Sequence, residues 1–237
     1  MANTLKFGNG EWYGKEGTIL AYNDENRNYK PLPFNFERSS GATTINKQGL
    51  IETVGANEPR IDYKDNTKGA LLLEPTRSNL VTYSEDFSDA AWNTFRTYNV
   101  NITNTSTINP KGEQGSYKIV STNADNQFAS IFTIASGQPY SNSIYVKRVL
   151  GSGDIILKNV NNESVNFQVN VSDGWKKIHT TVTSNSINGR VYLSLANSGD
   201  EIEVWGAQLE EGSYATSYIP TSGSAVTRVY DTIPTYL

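Results

Sequence analysis

Residues 201–221 read E-I-E-V-W-G-A-Q-L-E-E-G-S-Y-A-T-S-Y-I-P-T, and the first half of this stretch decides the fold. Ile202 and Val204 alternate with Glu201 and Glu203, so apolar side chains fall on one face of an extended strand and carboxylates on the other. The alternation then breaks. Trp205, Ala207 and Leu209 are apolar at the opposite parity, with Gly206 between them. A glycine inside a strand marks a bulge or a close backbone approach. The pattern is that of a central strand closing a two-layer sandwich, with Trp205 in its core.

Working outward, the 237 residues allow one large all-β domain or a small N-terminal element followed by a sandwich. A core can be buried at this size without covalent or metal staples. The chain has no cysteine, which excludes disulfides, thiol chemistry and cysteine-ligated zinc. His179 is its single histidine, so one chain cannot form a multi-histidine metal site. A net charge of −4 argues against non-specific binding to nucleic acid or anionic membrane. Residues 1–6 lack the apolar core of a signal peptide, and no apolar run reaches membrane-spanning length. Roughly three residues in ten are Asn, Ser or Thr, and 14 are Tyr, the balance of a β-rich surface protein. Heptads, collagen repeats and fixed periods are absent from the sequence, so it encodes no long fibre shaft.

Taken in order, residues 1–63 are expected to form a separate β-rich element. Turn signals at 8–10 and 23–26 flank a short strand at 18–22, and Pro31 and Pro33 hold an extended edge-type segment. Residues 46–49, N-K-Q-G, are a hairpin loop between A-T-T-I and L-I-E-T-V. The polar loop 64–68 is the expected boundary, and 69–237 the sandwich. Leu71, Leu72 and Leu73 predict a strand buried on both faces. Residues 84–93 are the one helical turn expected, capped by Ser84, with Phe87 and Trp92 packing inward. Strands are predicted at 128–134, 143–149, 154–159, 165–171, 176–183 and 190–195, each with period-two alternation.

Three blocks also carry a resemblance. V-W-G-A-Q-L-E-E-G-S-Y-A-T-S-Y-I-P-T at 204–221 is similar to the closing signature of a family of phage fibre and spike proteins. F-E-R-S-S-G-A-T-T-I-N-K-Q-G-L-I-E-T-V-G-A-N-E-P-R-I-D-Y at 36–63 and G-A-L-L-L-E-P-T-R-S-N-L at 69–80 resemble blocks of the same family, in the same order. The resemblance implies an all-β fold: a jelly roll like that of carbohydrate-binding modules, preceded by a small N-terminal element. Residues 1–30 show no general pattern of the family.

Candidate sites are few. His179 has no orienting acid or nucleophile in sequence and is expected on a strand surface. Glu201 with Glu203, and Glu210 with Glu211, lie along one strand. They do not establish two carboxylates facing across a cleft, as glycoside hydrolysis requires, so a solvated face is expected. Glu85, Asp86 and Asp89 could contribute to a calcium site, but they fit simple N-terminal acids of a helical turn better. Trp175 and Trp205 are expected in the core, with Trp92 plugging one end. An outward set, Tyr145, Tyr192, Asn166 and Gln168, has the chemistry of a sugar platform, stacking rings beside amides. The ordinary alternatives, a solvated face or an oligomer interface, weigh more. Trp12 and Tyr13 are candidates for assembly or anchoring. Sequons begin at Asn101, Asn104, Asn162 and Asn170, a number that needs no function in so Asn-rich a chain.

The expectation is a non-enzymatic head or tail fibre or spike subunit in the virion. It would be a homotrimer or else a homodimer, with no cofactor or metal. The N-terminal element would hold capsid or tail proteins and the jelly roll would be displayed, in reach of host-surface glycan. The alternative is a lectin-like module that binds a polysaccharide directly. The C-terminal tail is expected to lie against another surface or another chain.

Overall fold

Period-two alternation becomes antiparallel strand pairing in both halves of the chain. The computed structural model describes residues 36–65, 67–93 and 97–233 (for Asn93 the backbone alone), preceded by the backbone of four short strands. These are β1 (Asn3–Leu5), β2 (Trp12–Gly14), β3 (Leu20–Asn23) and β4 (Asn28–Pro31). The predicted turns at 8–10 and 24–26 lie outside the described residues. Then follow β5 (Ala42–Ile45), β6 (Ile51–Val54), β7 (Ile61–Asp62), β8 (Ala70–Leu73) and β9 (Arg77–Asn79). The chain divides into two compact units: 1–77 with 216–219 and 227–237, and 78–215 with 220–226. Loop 64–68, expected as the boundary, lies inside the first unit, whose last sequential residue before the second is Arg77.

In the first unit β2, β3 and β4 form one sheet, and β1, β8 and β7 another. β5 and β6 form the predicted hairpin, where the Asn46 side-chain oxygen accepts from the amides of Gln48 and Leu50, and Gly49 turns at φ 79°. With such small sheets, much of the interior is ionic. Arg38 and Arg60 both donate to Asp231, and Arg60 and Arg228 both reach Glu74, at 2.7 and 2.8 Å. The Glu74 amide donates to Asp231, and Ser217 donates to Glu74 through its amide and its hydroxyl. The tail is thereby corrected. Through Asp231 and Arg228 it is built into the first unit's interior, where Asp231 pairs with Arg38 and Arg60, and Arg228 with Glu74.

The second unit continues with β10 (Val100–Ile108), β11 (Gln114–Ser121), β12 (Phe128–Thr133), β13 (Pro139–Leu150), β14 (Ile155–Lys158) and β15 (Ser164–Phe167). β16 (Lys176–Thr183), β17 (Asn188–Leu195) and β18 (Glu201–Glu211) complete it, and β19 (Val226–Arg228) follows where the chain returns to the first unit. One sheet runs β10-β11-β18-β13-β16 and the other β12-β17-β14-β15, so the chain switches sheets repeatedly, as in a jelly roll. Ile144, Val146, Ile202 and Val204 of the first sheet meet Ile155, Leu157, Val191 and Leu193 of the second in one apolar core. Phe87, Trp92 and Phe128 cluster at its end, with Trp92 stacked on Phe87 and on Phe128 at centroid distances of 4.7 and 5.2 Å.

Three expectations are corrected here. The helical turn at 84–93 is only a 3-10 turn at Ala90–Asn93, and Ser84 does not cap it. Ser84 instead pairs with Thr221, while Asp89 accepts from the Ala91 amide. The strand predicted at 165–171 stops at Phe167. A second 3-10 turn (Val171–Asp173) follows, closed by Asp173 accepting from the Asn170 amide, and it leaves Val171 exposed. Trp175 is half-buried and absent from the apolar cluster, because its indole N–H is drawn to the Ile108 carbonyl at 2.8 Å.

Candidate functional site

The site follows from the irregularity in β18. Over Glu201–Val204 this strand pairs with β11, Val204 opposite Tyr117. On its other side it pairs with β13, with Trp205 opposite Tyr145 and a register shift before Gln208 meets Ser143. Gly206 takes up the shift at φ 63°, a backbone conformation that favours glycine. Past it, Ala207 and Leu209 return to the core face, and β18 changes partners. The Ala207 amide donates to Ser84 and the Leu80 amide to Leu209, while the Asn79 side chain bonds both Ala207 and Leu209. β11 and the segment 80–84 therefore fork at Trp205 and Gly206.

A cleft of about 580 Å³ opens at this fork, between residues 83–86, the β10–β11 hairpin and residues 220–222. Its volume falls within the range of small-molecule sites. Trp205 forms part of its lining. It is buried as expected (1% exposed), but outside the apolar cluster, since the register shift next to it falls between Trp205 and Gln208. Its ring meets Tyr145 edge-on at 5.7 Å, and the Lys111 ammonium lies 5.5 Å from its centroid. Lys111 also pairs with Glu85 at 2.9 Å. On the opposite wall Asp86 accepts from the Tyr117 hydroxyl and the Ser88 hydroxyl, each at 2.6 Å. The bonds from Ser88 and then Tyr117 hold the Asp86 carboxyl below its ordinary value. Asn109 fixes the hairpin wall, accepting from the amides of Lys111 and Glu113 and donating to the Gly115 carbonyl.

The sugar-platform residues fall on different sheets. Tyr192 and Asn166 share the outer face of the four-stranded sheet, where Lys158 caps the Tyr192 ring at 4.2 Å. Asn166 and Gln168 both donate to Asp154. Tyr145 lies on the outer face of the five-stranded sheet, beside Lys177. Both rings lie off the apolar cluster, though Tyr192 is only 8% exposed, and parity cannot say which sheet a strand joins. The side chains of Trp12 and Tyr13, in β2, lie outside the described residues.

Two carboxylates expected on a solvated face are buried. Glu203, 4% exposed, accepts from Thr105, Thr107 and Ser116 at 2.9, 3.1 and 2.6 Å, because the end of β10 folds over it. Glu210 is 0% exposed and accepts from Gln208. His179 is exposed on β16, as expected. Among the described residues no group of three or more His, Asp and Glu is placed to hold a metal ion. The cleft itself was not foreseen. Its one sequence signal was Gly206 next to Trp205.

No protein-family model matches the chain, and no curated protein sequence matches it. Among solved structures it is similar to the CBM22-1 xylan-binding domain of Paenibacillus barcinonensis Xyn10C, at 17% identity and a TM-score of 0.42, over 58% of this chain and 94% of that one. A putative sugar binding protein from Bacteroides thetaiotaomicron matches at 12% identity and a TM-score of 0.43, over 56% of this chain and 100% of that one. The enzymatically active domain of bacteriophage CBA120 tailspike protein 4 matches at 8% identity and a TM-score of 0.35, over 54% of this chain and 21% of that one.

Proposed function

We propose that the chain is a non-catalytic head or tail fibre or spike subunit of a bacteriophage virion whose jelly-roll unit binds a host-surface polysaccharide in the fork cleft. The observation that carries the binding half is the cleft, where aromatic rings stand among carboxylate and amide groups. Tyr83, the half-buried ring of the lining, offers an apolar face to a pyranose, and the polar groups take its hydroxyls. The virion half rests on the three ordered sequence blocks at 36–63, 69–80 and 204–221. The first unit accounts for part of them: Arg38, Arg60 and Glu74 of those blocks lie in its buried ionic interior.

Binding is favoured over cleavage by the state of the acids. A general acid for glycoside hydrolysis needs a raised pKa. Asp86 is shifted the other way, Glu85 is paired with Lys111, and Glu203 and Glu210 are buried within the sheet. Assembly as a homotrimer through residues 1–63 belongs to the same proposal, since symmetric closure is the usual route for displayed fibres. Sedimentation showing only monomer at micromolar concentration would contradict it.

The function is tested with fluorescently labelled protein and host cells, or isolated host envelope polysaccharide. The full chain should bind, and a double variant of exposed cleft residues, Asn104→Ala with Gln114→Ala, should lose most of that binding. Tyr192→Ala, on the far sheet, should retain it. Equal binding by all three proteins would remove the cleft from the function.

A further inference from the structure

The cleft's charge is uneven. Glu85, Asp86 and Glu113 line it with one cation, Lys111, and no arginine is among its described lining residues. Lys111 is already engaged, paired with Glu85 and placed over Trp205. Two negative charges are left without a counter-charge in the lining. Asp86 keeps one of them throughout the neutral and mildly acidic range, because Ser88 and Tyr117 both donate to it.

We infer that the cleft selects neutral or amine-bearing saccharides and rejects acidic ones such as uronates, sialosides and phosphorylated or sulfated sugars. The inference rests on the reading of the cleft as a saccharide site and adds the chemical class. Carboxylates are acceptors only, so they bind the hydroxyls or ammonium groups of a sugar through charge-assisted hydrogen bonds. A further carboxylate brought among them finds no free donor of opposite charge in the lining and meets like charges. Glu113 stands at the exposed hairpin wall, where its charge can be removed without touching the core.

The test is an array of galactose, galactosamine and galacturonic acid oligomers, with matched glucose, glucosamine and glucuronic acid series, probed at about pH 6, where carboxylates are ionised. Full-length protein should bind one or more neutral or amine-bearing series, with the matched uronate weaker by about tenfold or more. Glu113→Gln should narrow that ratio by lifting the uronate, while Tyr192→Ala leaves it unchanged. A uronate bound as tightly as its neutral counterpart would overturn the selectivity and leave the saccharide reading standing. Binding to no oligomer of any charge would overturn both. An unaltered ratio in Glu113→Gln would place recognition outside this cleft.

Discussion

The two units bury opposite kinds of side chain. In the first, three guanidiniums, Arg38, Arg60 and Arg228, are each at most 1% exposed, and they are matched by Glu74 and Asp231. In the second, the interior is a continuous apolar cluster shared by two sheets, in which Ile155, Leu157, Val146 and Val204 are fully buried. Sheet size explains the difference. Two- and three-stranded sheets offer too little apolar face to close a core alone, whereas a five-stranded and a four-stranded sheet packed together do. Buried ions hold geometry and punish the loss of any partner, while an apolar core yields more evenly. The same chain should therefore show two distinct sensitivities.

The sharpest way to break this comparison is Asp231→Ala. It leaves Arg38 and Arg60 buried without their shared carboxylate, a loss worth about 3–5 kcal/mol. Amide-resolved denaturation should show the first unit unfolding early while the second keeps its midpoint. A mutant whose first unit melts normally would show the ionic interior to be dispensable.

Next in size is an acid effect. Burial alone would raise the Glu74 carboxyl, but Arg228 and Arg60, helped by Ser217, outweigh it and lower its pKa from 4.5 to about 2. A carboxylate depressed on folding contributes stability that is complete above its unfolded value and disappears as pH falls through its folded one. The window is thus from about 4.5 down to about 2, and the loss about 3 kcal/mol. Stability measured by urea titration in steps across that window should fall for the first unit, and Glu74→Gln should flatten the dependence. Smaller still, Ile144→Val in the second unit should cost about 1 kcal/mol at any pH in the same range. A pH-dependent cost there would blur the contrast.

How far the sequence anticipates each unit follows from the same physics. Ile202 and Val204, or Val191, Leu193 and Leu195, announce their strands because half-buried sheets impose a period of two. β10 and β11 went unpredicted: β10 is an edge strand carrying Asn, Thr and Ser, with Val100, Ile102 and Ile108 its only apolar residues. Gly206 announced a bulge, but whether the register shifts before or after Trp205 depends on Tyr145, sixty residues away in sequence. The ionic interior was invisible for a related reason. Arg60 and Asp231 are 171 residues apart, and no local pattern marks an arginine as buried. The cleft shares this limit, being made by strands that part company at one glycine.

The claim with most resting on it is that recognition happens where β18 changes partners. It is tested most directly by titrating the best-bound oligosaccharide into isotope-labelled full-length protein and following amide shifts. Perturbations should gather at residues 83–86, at the 109–117 hairpin and at Trp205 and Gly206, with Tyr192 and Asn166 unmoved. Shifts centred on Tyr192, Asn166 and Gln168 instead would contradict the account and return the function to the outer face of the four-stranded sheet.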